Sequence, residues 1–301
     1  MRQTEYAPEG AGPLFPTGQS LTHLEQAMLE QRILRGTAVR CDSEKTLYVR
    51  FGGYEGIIPR SEAVHPSISG SSRDISVLSI VGKEICFTIT SIDPDPFGRP
   101  KMILSRRLAQ EQVINHLLDA VPVGTVLPAR VTHLAPFGAF VDVGCGVISM
   151  IALADLSVSP VPHPAQRLSV GQDILARLTG KDRDSKRFYL SRKELLGTWQ
   201  ENAALFSPGD TVTGIVRGVR EYGIFVELTE NLSGLADWRA DVLCGDRVTV
   251  CIKAIRPDTG RIKLHIIQSL GPAQQPEPGR YYITDGIVTD WHYRESFTLS
   301  Q

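Results

Sequence analysis

The 301-residue sequence lacks the segments that would place it in or across a membrane. No apolar run approaches the roughly 20 residues that a bilayer-spanning helix needs. The first residues, MRQTEYAPEGAGP, have no apolar core of the kind found in secretory signals. We therefore predict a cytoplasmic protein with no membrane partner.

Cysteine is scarce, and common catalytic motifs are absent. The five cysteines include no CxxC pair, which favours free thiols in a reducing compartment. The sequence contains no GxxxxGK(S/T) loop, no HExxH and no GxSxG. Its seven histidines have no ligand spacing to one another or to a cysteine. These absences predict a protein that is not an enzyme and that holds no metal or cofactor.

An excess of positive charge is also missing, since 32 Lys and Arg stand against 33 Asp and Glu. A strongly basic balance is typical of proteins that attract nucleic acid through their net charge. Any binding of nucleic acid by this chain must therefore depend on the local placement of cations and on stacking with aromatic side chains.

The sequence does contain an aromatic strand, Pro136–Val143 (PFGAFVDV). Strict alternation places the small and branched residues on one face and Phe140 on the other. Phe137 precedes Gly138, where the backbone can turn sharply. The pattern returns at Tyr222–Leu228 (YGIFVEL). Two aromatic rings held at a strand surface offer a flat partner a place to stack.

The aromatic strand belongs to a longer repeat. Phe225 follows Phe140 by 85 residues, and Ser191 follows Ser105 by 86. Each copy contains five short segments with period-two alternation, separated by Gly, Asp and Pro turns. Such a repeat predicts a mainly β protein with three tandem five-stranded oligonucleotide-binding (OB-fold) barrels and short connecting helices.

The copies also predict the organisation of the chain. We place an N-terminal tail and helix at 1–34, the first barrel at 35–108, a helical linker at 109–121, the second barrel at 122–197, a helical linker at 198–207, the third barrel at 208–269, and a Pro-rich linker with a C-terminal β-hairpin at 270–301.

Helices are predicted over 21–34, 108–120 and 194–206. Thr22 and Glu25 resemble a capping box for the first helix. Asp285-Gly286 is the expected turn of the hairpin, which would pack on the third barrel or on a partner.

The order of motifs resembles the S1 RNA-binding domain, the five-stranded barrel named after small-subunit ribosomal protein S1. The second copy matches through FGAFVDVG and KRFYLSRKE, the third through YGIFVELTENLSGLADW and GRIKLH, and the first through YEGIIPRSEA and MILSRR. Where the family often has His in the third strand, this chain has Pro59, Ala152 and Asp237. Lys45 replaces the first aromatic of copy one, although Tyr48 retains the second, so the first barrel is expected to be degenerate.

A set of aromatic, histidine and basic residues forms the predicted RNA-binding site. Bases would stack on the rings, and phosphates would follow a basic groove. The residues are Tyr48 and Lys101 in the first barrel, His133, Phe137, Phe140, Arg177 and Arg187 in the second, and Tyr222, Phe225 and Arg261 in the third. Lys101, Arg187 and Arg261 hold equivalent positions near the last strand of each copy. In an alternative interpretation Phe137 and Tyr222 close the barrel ends, and His133 is an ordinary surface residue.

Charge counts rank the second barrel first. Residues 124–197 contain nine Lys and Arg against six Asp and Glu, whereas residues 209–269 contain eight of each. The second barrel is therefore the main candidate for RNA binding. Asp142 and Glu227 alternate onto the same face as the aromatic rings, where we expect each to pair with a neighbouring arginine rather than to read a base.

The resemblance implies that the chain binds single-stranded RNA, mRNA included, in translation, with the small ribosomal subunit as a candidate partner. The first barrel would then hold a protein partner such as the ribosome. Two alternatives stay open. One is an RNA-binding regulator that never associates with ribosomes, and the other is a protein-interaction scaffold whose barrels have lost RNA binding.

Overall fold

The computed structural model describes residues 6–11, 15–68, 77–94, 96–273 and 279–294. Within these ranges the protein is mainly β and forms three closed five-stranded barrels, which confirms the predicted fold class. The first barrel comprises β1 (Leu34–Cys41), β2 (Leu47–Phe51), β3 (Tyr54–Ile58), β4 (Glu84–Pro94) and β5 (Pro100–Ser105). The second comprises β6 (Val126–Ala135), β7 (Gly138–Asp142), β8 (Ile148–Ala152), β9 (Asp173–Asp182) and β10 (Arg187–Ser191). The third comprises β11 (Thr211–Arg220), β12 (Gly223–Thr229), β13 (Leu232–Ala236), β14 (Asp246–Arg256) and β15 (Arg261–Pro272).

The three barrels share one topology. In each, the first strand pairs antiparallel with the second and the fourth, and the third strand pairs in parallel with the fifth. Each first strand also carries a register shift at the same place, just before Arg40, His133 and Gly218. A bulge of this kind bends a strand and re-aims the side chains beside it. The equivalent residue of every barrel therefore lies opposite the aromatic position of the second strand.

Alternate side chains of the strands point inward and fill each barrel. Val49, Val141 and Val226 are equivalent residues of the second strands, and all three are fully buried. Complete burial of a valine side chain stabilises the fold by about 1.5–3 kcal/mol. The helix α2 (Arg106–Asp119) adds Val113 and Leu117 to the core of the second barrel and also packs against β4 of the first. The first two barrels are therefore joined through this helix.

Two further α-helices, α1 (Leu21–Leu29) and α3 (Trp199–Ala203), depart from prediction. Helix α1 is shorter than predicted because Gln31 has a left-handed φ of 50°, and its N-cap is Ser20 rather than Thr22. The helix predicted over 194–206 is interrupted at Gly197, whose φ is 83°, and α3 begins after it with Thr198 in a capping box. None of the described helices is long and apolar enough to cross a membrane.

The prediction of a C-terminal hairpin is wrong, because residues 279–294 contain no pair of strands. This tail instead bonds to the second barrel, where Val126 N donates to Gly286 O and Val288 N donates to Gly124 O. The main-chain groups of the tail thus find partners at the edge of β6 and not in one another. Farther along, Tyr293 packs against the core of the third barrel. The tail, residues 279–294, therefore contacts the second and the third barrel.

Candidate nucleic-acid interface

Four strands of the second barrel present one outward residue each in a continuous row. The register pairs His133 of β6 with Phe140 of β7, and Phe140 with Met150 of β8. Met150 is in turn paired with Tyr189 of β10. Adjacent strands lie about 4.8 Å apart, so these side chains form one surface, which we call the second-barrel row.

Phe137 forms a wall at the edge of this row. Its side chain is 60% exposed, and its ring meets the Phe140 ring edge-on, with centroids 5.9 Å apart and planes at 85°. The His133 ring lies against the same phenylalanine, also with centroids 5.9 Å apart. A residue that closed the barrel end would be buried, so that alternative is wrong for Phe137. The perpendicular pair makes a corner in which a base stacked on one ring contacts the edge of the other.

Sequence reasoning missed two members of the row, Met150 and Tyr189. Tyr189 is 53% exposed and extends the surface to the far strand. A signal was present, because period-two alternation through RFYLS turns Tyr189 to the same side as Arg187. For Met150 no such signal separates an outward methionine from a core residue.

The third barrel repeats this arrangement with different residues. The register pairs Gly218 with Phe225, Phe225 with Leu235, and Leu235 with Lys263, which together form the third-barrel row. Tyr222 stands at its edge, 70% exposed, with its ring 6.1 Å from that of Phe225 at 89°. The barrel-end alternative is therefore wrong for Tyr222 as well. The perpendicular pair is kept, but glycine and lysine replace the histidine and tyrosine at the ends of the row.

Cations surround the third-barrel row. A cavity of about 820 Å³ is lined by the aromatic pair and by Arg220, Arg261 and Arg294. Arg256 faces Arg261 across β14 and β15. Within the described part of the chain, Arg220, Arg256 and Arg261 form no ion pair. Guanidinium groups beside exposed rings offer single-stranded nucleic acid both a phosphate contact and a stacking surface.

The first barrel has a weaker version of the row. Its register aligns Arg40, Tyr48, Ile57 and Ile103, so one aromatic ring is present. The guanidinium carbon of Arg40 lies 3.6 Å from the centroid of the Tyr48 ring and covers one of its faces. The first barrel therefore has only one aromatic ring in its row, and the guanidinium group of Arg40 already covers one face of that ring.

The three basic residues predicted before the last strands hold equivalent exposed positions but face different partners. Lys101 is opposite Asp93, Arg187 is opposite Asp182, and Arg261 is opposite Arg256. Opposite charges directly across a strand pair attract each other, and like charges do not. The first two cations are therefore partly neutralised within the chain, whereas the third reinforces a second cation.

The structure corrects the expectation for Arg177. Its Nε donates to the Val288 carbonyl of the tail at 3.0 Å, and its Nη1 lies 3.4 Å from a carboxylate oxygen of Glu194. The side chain alternates outward as predicted, but the tail covers it. A phosphate would therefore compete with the tail for this guanidinium.

Two cations counted for the second barrel are buried against the third. The side chain of Arg167 is 3% exposed and bonds both carboxylate oxygens of Glu227, and the buried Arg192 pairs with Glu230. Without these two pairs, residues 124–197 retain seven basic residues against six acidic ones, and residues 209–269 retain eight against six. The charge count that favoured the second barrel is thus reversed, because two of its cations are neutralised by the third.

Asp142 and Glu227 are buried, because other segments of the chain cover them. Glu227 binds Arg167 and Arg217, as expected for an acid paired with arginine. Asp142 instead accepts hydrogen bonds from two glycine amides and from the amide of Glu9, so an arginine partner was the wrong expectation there. Burial, followed by the nearby Glu9 carboxylate, raises the pKa of Asp142 to about 7.

Residues 120–193 match the family model of the S1 RNA binding domain. This segment includes every residue of the second-barrel row together with Phe137. The resemblance predicted from the motifs is therefore confirmed where the aromatic surface is richest.

Two bacterial proteins are similar to larger parts of the chain. The small ribosomal subunit protein bS1 homolog of Bacillus subtilis (strain 168) is 33% identical over 159 residues, which cover 51% of this chain and 41% of that protein. Small ribosomal subunit protein bS1 of Staphylococcus aureus (strain COL) is 31% identical over 188 residues, or 61% of this chain and 46% of that protein. The chain thus spans less than half the length of these relatives. A solved multidomain protein with nucleic acid binding domains from Streptococcus pneumoniae has a TM-score of 0.25 and 16% identity, over 79% of this chain and 74% of that one.

Proposed function

We propose, from the premise of an S1 RNA-binding domain at residues 120–193, that this chain binds single-stranded RNA and does so without catalysis. The observation that carries the proposal is the second-barrel row with Phe137 at its edge, a continuous outward surface in which Phe140 is half-buried and Phe137, Met150 and Tyr189 are exposed. Each base stacked on an aromatic ring contributes roughly 1–3 kcal/mol to binding. Because every base has a π-face, we expect binding that tolerates many sequences.

The third barrel contributes a second contact on the same strand of RNA. Its row has fewer stacking side chains, but Arg220, Arg256 and Arg261 offer phosphate contacts beside it. A strand bound at one barrel presents its neighbouring nucleotides to the other at high effective concentration. Two modest sites therefore suffice for useful affinity.

The setting that we propose is translation in the cytoplasm, with mRNA as the RNA and the small ribosomal subunit as the partner. Support comes from the similarity to proteins named small ribosomal subunit protein bS1. The first barrel is proposed to contact a protein of that subunit, because Arg40 covers its Tyr48 ring and the rest of its row is Ile57 and Ile103.

Fluorescence anisotropy of a labelled oligouridylate over a salt series tests RNA binding. We expect binding that weakens as salt rises, since neutralised phosphates release counterions. Replacement of both Phe137 and Phe140 by alanine should weaken binding, and Phe97→Ala serves as the control because Phe97 is an exposed phenylalanine of the first barrel. A wild-type chain with no affinity for the oligonucleotide would instead support the protein-interaction scaffold.

Co-sedimentation with purified small ribosomal subunits tests the proposed setting. We expect the chain to pellet with the subunits and to stay in the supernatant without them. A chain that binds oligouridylate but does not pellet with subunits would be an RNA-binding regulator that acts apart from ribosomes.

A further inference from the structure

The cavity beside the third-barrel row is built from four separate parts of the chain. The third barrel supplies most of its lining, and the rest comes from the segment 158–160 of the second barrel, from Trp199 of α3, and from Tyr293 and Arg294 of the tail. Neither tail residue was predicted to bind RNA, and the family match at residues 120–193 does not include them.

Several contacts hold this end of the tail in place. The amide of Trp199 donates to the Tyr293 carbonyl at 2.8 Å, and the Tyr293 hydroxyl donates to the carbonyl of Asn231. The Tyr293 ring also packs against the core of the third barrel. Burial raises the pKa of Tyr293 to about 12, so the hydroxyl keeps its proton at neutral pH. These contacts hold Tyr293 on the third barrel and thereby position the next residue, Arg294.

Arg294 lies on the turn that leads into β15. Its Nη1 and Nη2 donate to the carbonyls of Thr259 and Gly260 at 3.4 and 3.3 Å. Gly260 leaves room for this approach, because a Cβ at that position would lie 2.7 Å from Arg294 Nε. A guanidinium group carries five N–H donors, so two weak carbonyl bonds leave others for a ligand. Arg261 directly follows Gly260, and both arginines line the same cavity.

We infer that Tyr293 and Arg294 complete a one-nucleotide site on the third barrel, in which Arg294 and Arg261 bind a phosphate of RNA whose base stacks on Tyr222 or Phe225. This inference rests on the proposed function and extends it to the tail. The chemistry of the site favours a nucleotide over a purely acidic ligand, since rings and guanidinium groups line the same cavity. In this role the tail is part of the binding surface as well as a brace between barrels.

The full chain with Arg294→Ala tests the inference by oligouridylate anisotropy. We expect roughly three- to tenfold weaker binding at low salt, as for the loss of one charge-assisted contact. The slope of log K against log salt should also become shallower by about 0.7, the value for one phosphate of a single strand. Arg294→Lys should recover the slope, because it keeps the charge, but only part of the affinity, because it loses the planar fork.

Arg280→Ala is the matched control, because it removes the same charge from an exposed arginine of the same tail that lines a different cavity. An equal effect of Arg280→Ala and Arg294→Ala would show that only net charge matters and would overturn the inference. It would also be overturned if Arg261→Ala weakened binding and Arg294→Ala did not. If the wild-type chain bound no oligouridylate at all, the proposed function itself would fail.

Discussion

The second and third barrels have the same strands, the same bulge and the same perpendicular aromatic pair, yet they present different chemistry at their rows. The second-barrel row carries His133 and Tyr189 at the positions where the third carries Gly218 and Lys263. The second is therefore mainly a stacking surface, and the third combines a smaller stacking surface with cations. We propose that stacking and phosphate binding are thereby divided between two neighbouring barrels of one fold.

The acid two residues after the central phenylalanine shows a second difference. In the third barrel Glu227 joins the barrels by binding Arg167, whereas in the second barrel Asp142 binds the amide of Glu9 in the N-terminal segment. The acids at these equivalent positions therefore bind different segments of the chain, Arg167 in one case and the N-terminal segment in the other. The register of the barrel therefore sets where a side chain lies, and the adjoining segment of the chain sets its role.

The largest expected effect is on stability, from Glu227→Gln. The change leaves Arg167 buried without its main counterion, and loss of one partner of a buried ion pair costs about 3–5 kcal/mol. All three tryptophans, Trp199, Trp238 and Trp291, lie in the third barrel or the segments on either side of it. Tryptophan fluorescence during urea unfolding therefore reports this barrel.

Glu221→Gln is the control for that experiment, since Glu221 is exposed in the same barrel and has no ion pair within the described ranges. It should change the free energy of unfolding by less than about 0.5 kcal/mol. If Glu227→Gln were as mild as this control, the buried pair would not be what joins the barrels.

The counterpart in the second barrel is a pH effect of Asp142. Its folded pKa of about 7 lies above the unfolded value, so the native state holds a proton that the unfolded chain releases. Stability from this group is complete below pH ~4 and is lost as the pH rises toward 7, by at most about 1.4 kcal/mol per pH unit. Asp142→Asn should remove this slope, measured by thermal unfolding from pH 4 to 8. The exposed Asp184→Asn should keep it, and a slope that survives in Asp142→Asn would show that another group titrates.

The fold and the aromatic pairs were predictable because alternation and turn residues are local signals that recur in each copy. Phe140 and Phe225 were placed correctly for this reason, and Arg261 came from the alignment of copies. The fate of Arg167, Arg177 and the tail was not predictable, because each depends on a partner far along the chain. Charge pairing across an interface leaves no periodic trace in a sequence, so counting charges overstated the positive charge that the second barrel has available.

The next effect concerns RNA affinity and the central phenylalanines. Phe140→Ala and Phe225→Ala should each weaken binding by about 1–3 kcal/mol if bases stack there. We expect the larger loss for Phe140, because its ring contacts both His133 and Phe137. Anisotropy with oligouridylate measures both, and unchanged melting temperatures verify that the variants are folded. Equal affinities of wild type and both variants would contradict the assignment of these rows.

The smallest effect should come from the two arginines that hold equivalent positions. Arg261→Ala should make the salt slope shallower by about 0.7, because Arg261 faces another cation and is available to a phosphate. Arg187→Ala should change the slope less, since Asp182 lies opposite it. If Arg187→Ala changed the salt slope more than Arg261→Ala, the second barrel would be the main site of phosphate contact.

The most direct test of the division between the barrels is one salt series on two double variants, Phe137→Ala with Phe140→Ala and Arg256→Ala with Arg261→Ala. The first pair should lower affinity for oligouridylate by a similar factor at every salt concentration, leaving the slope of log K against log salt unchanged. The second should flatten that slope by about 1.4, for two phosphates, and should converge on the wild type at high salt. Identical slopes for the two double variants would contradict the assignment of stacking to the second barrel and phosphate binding to the third.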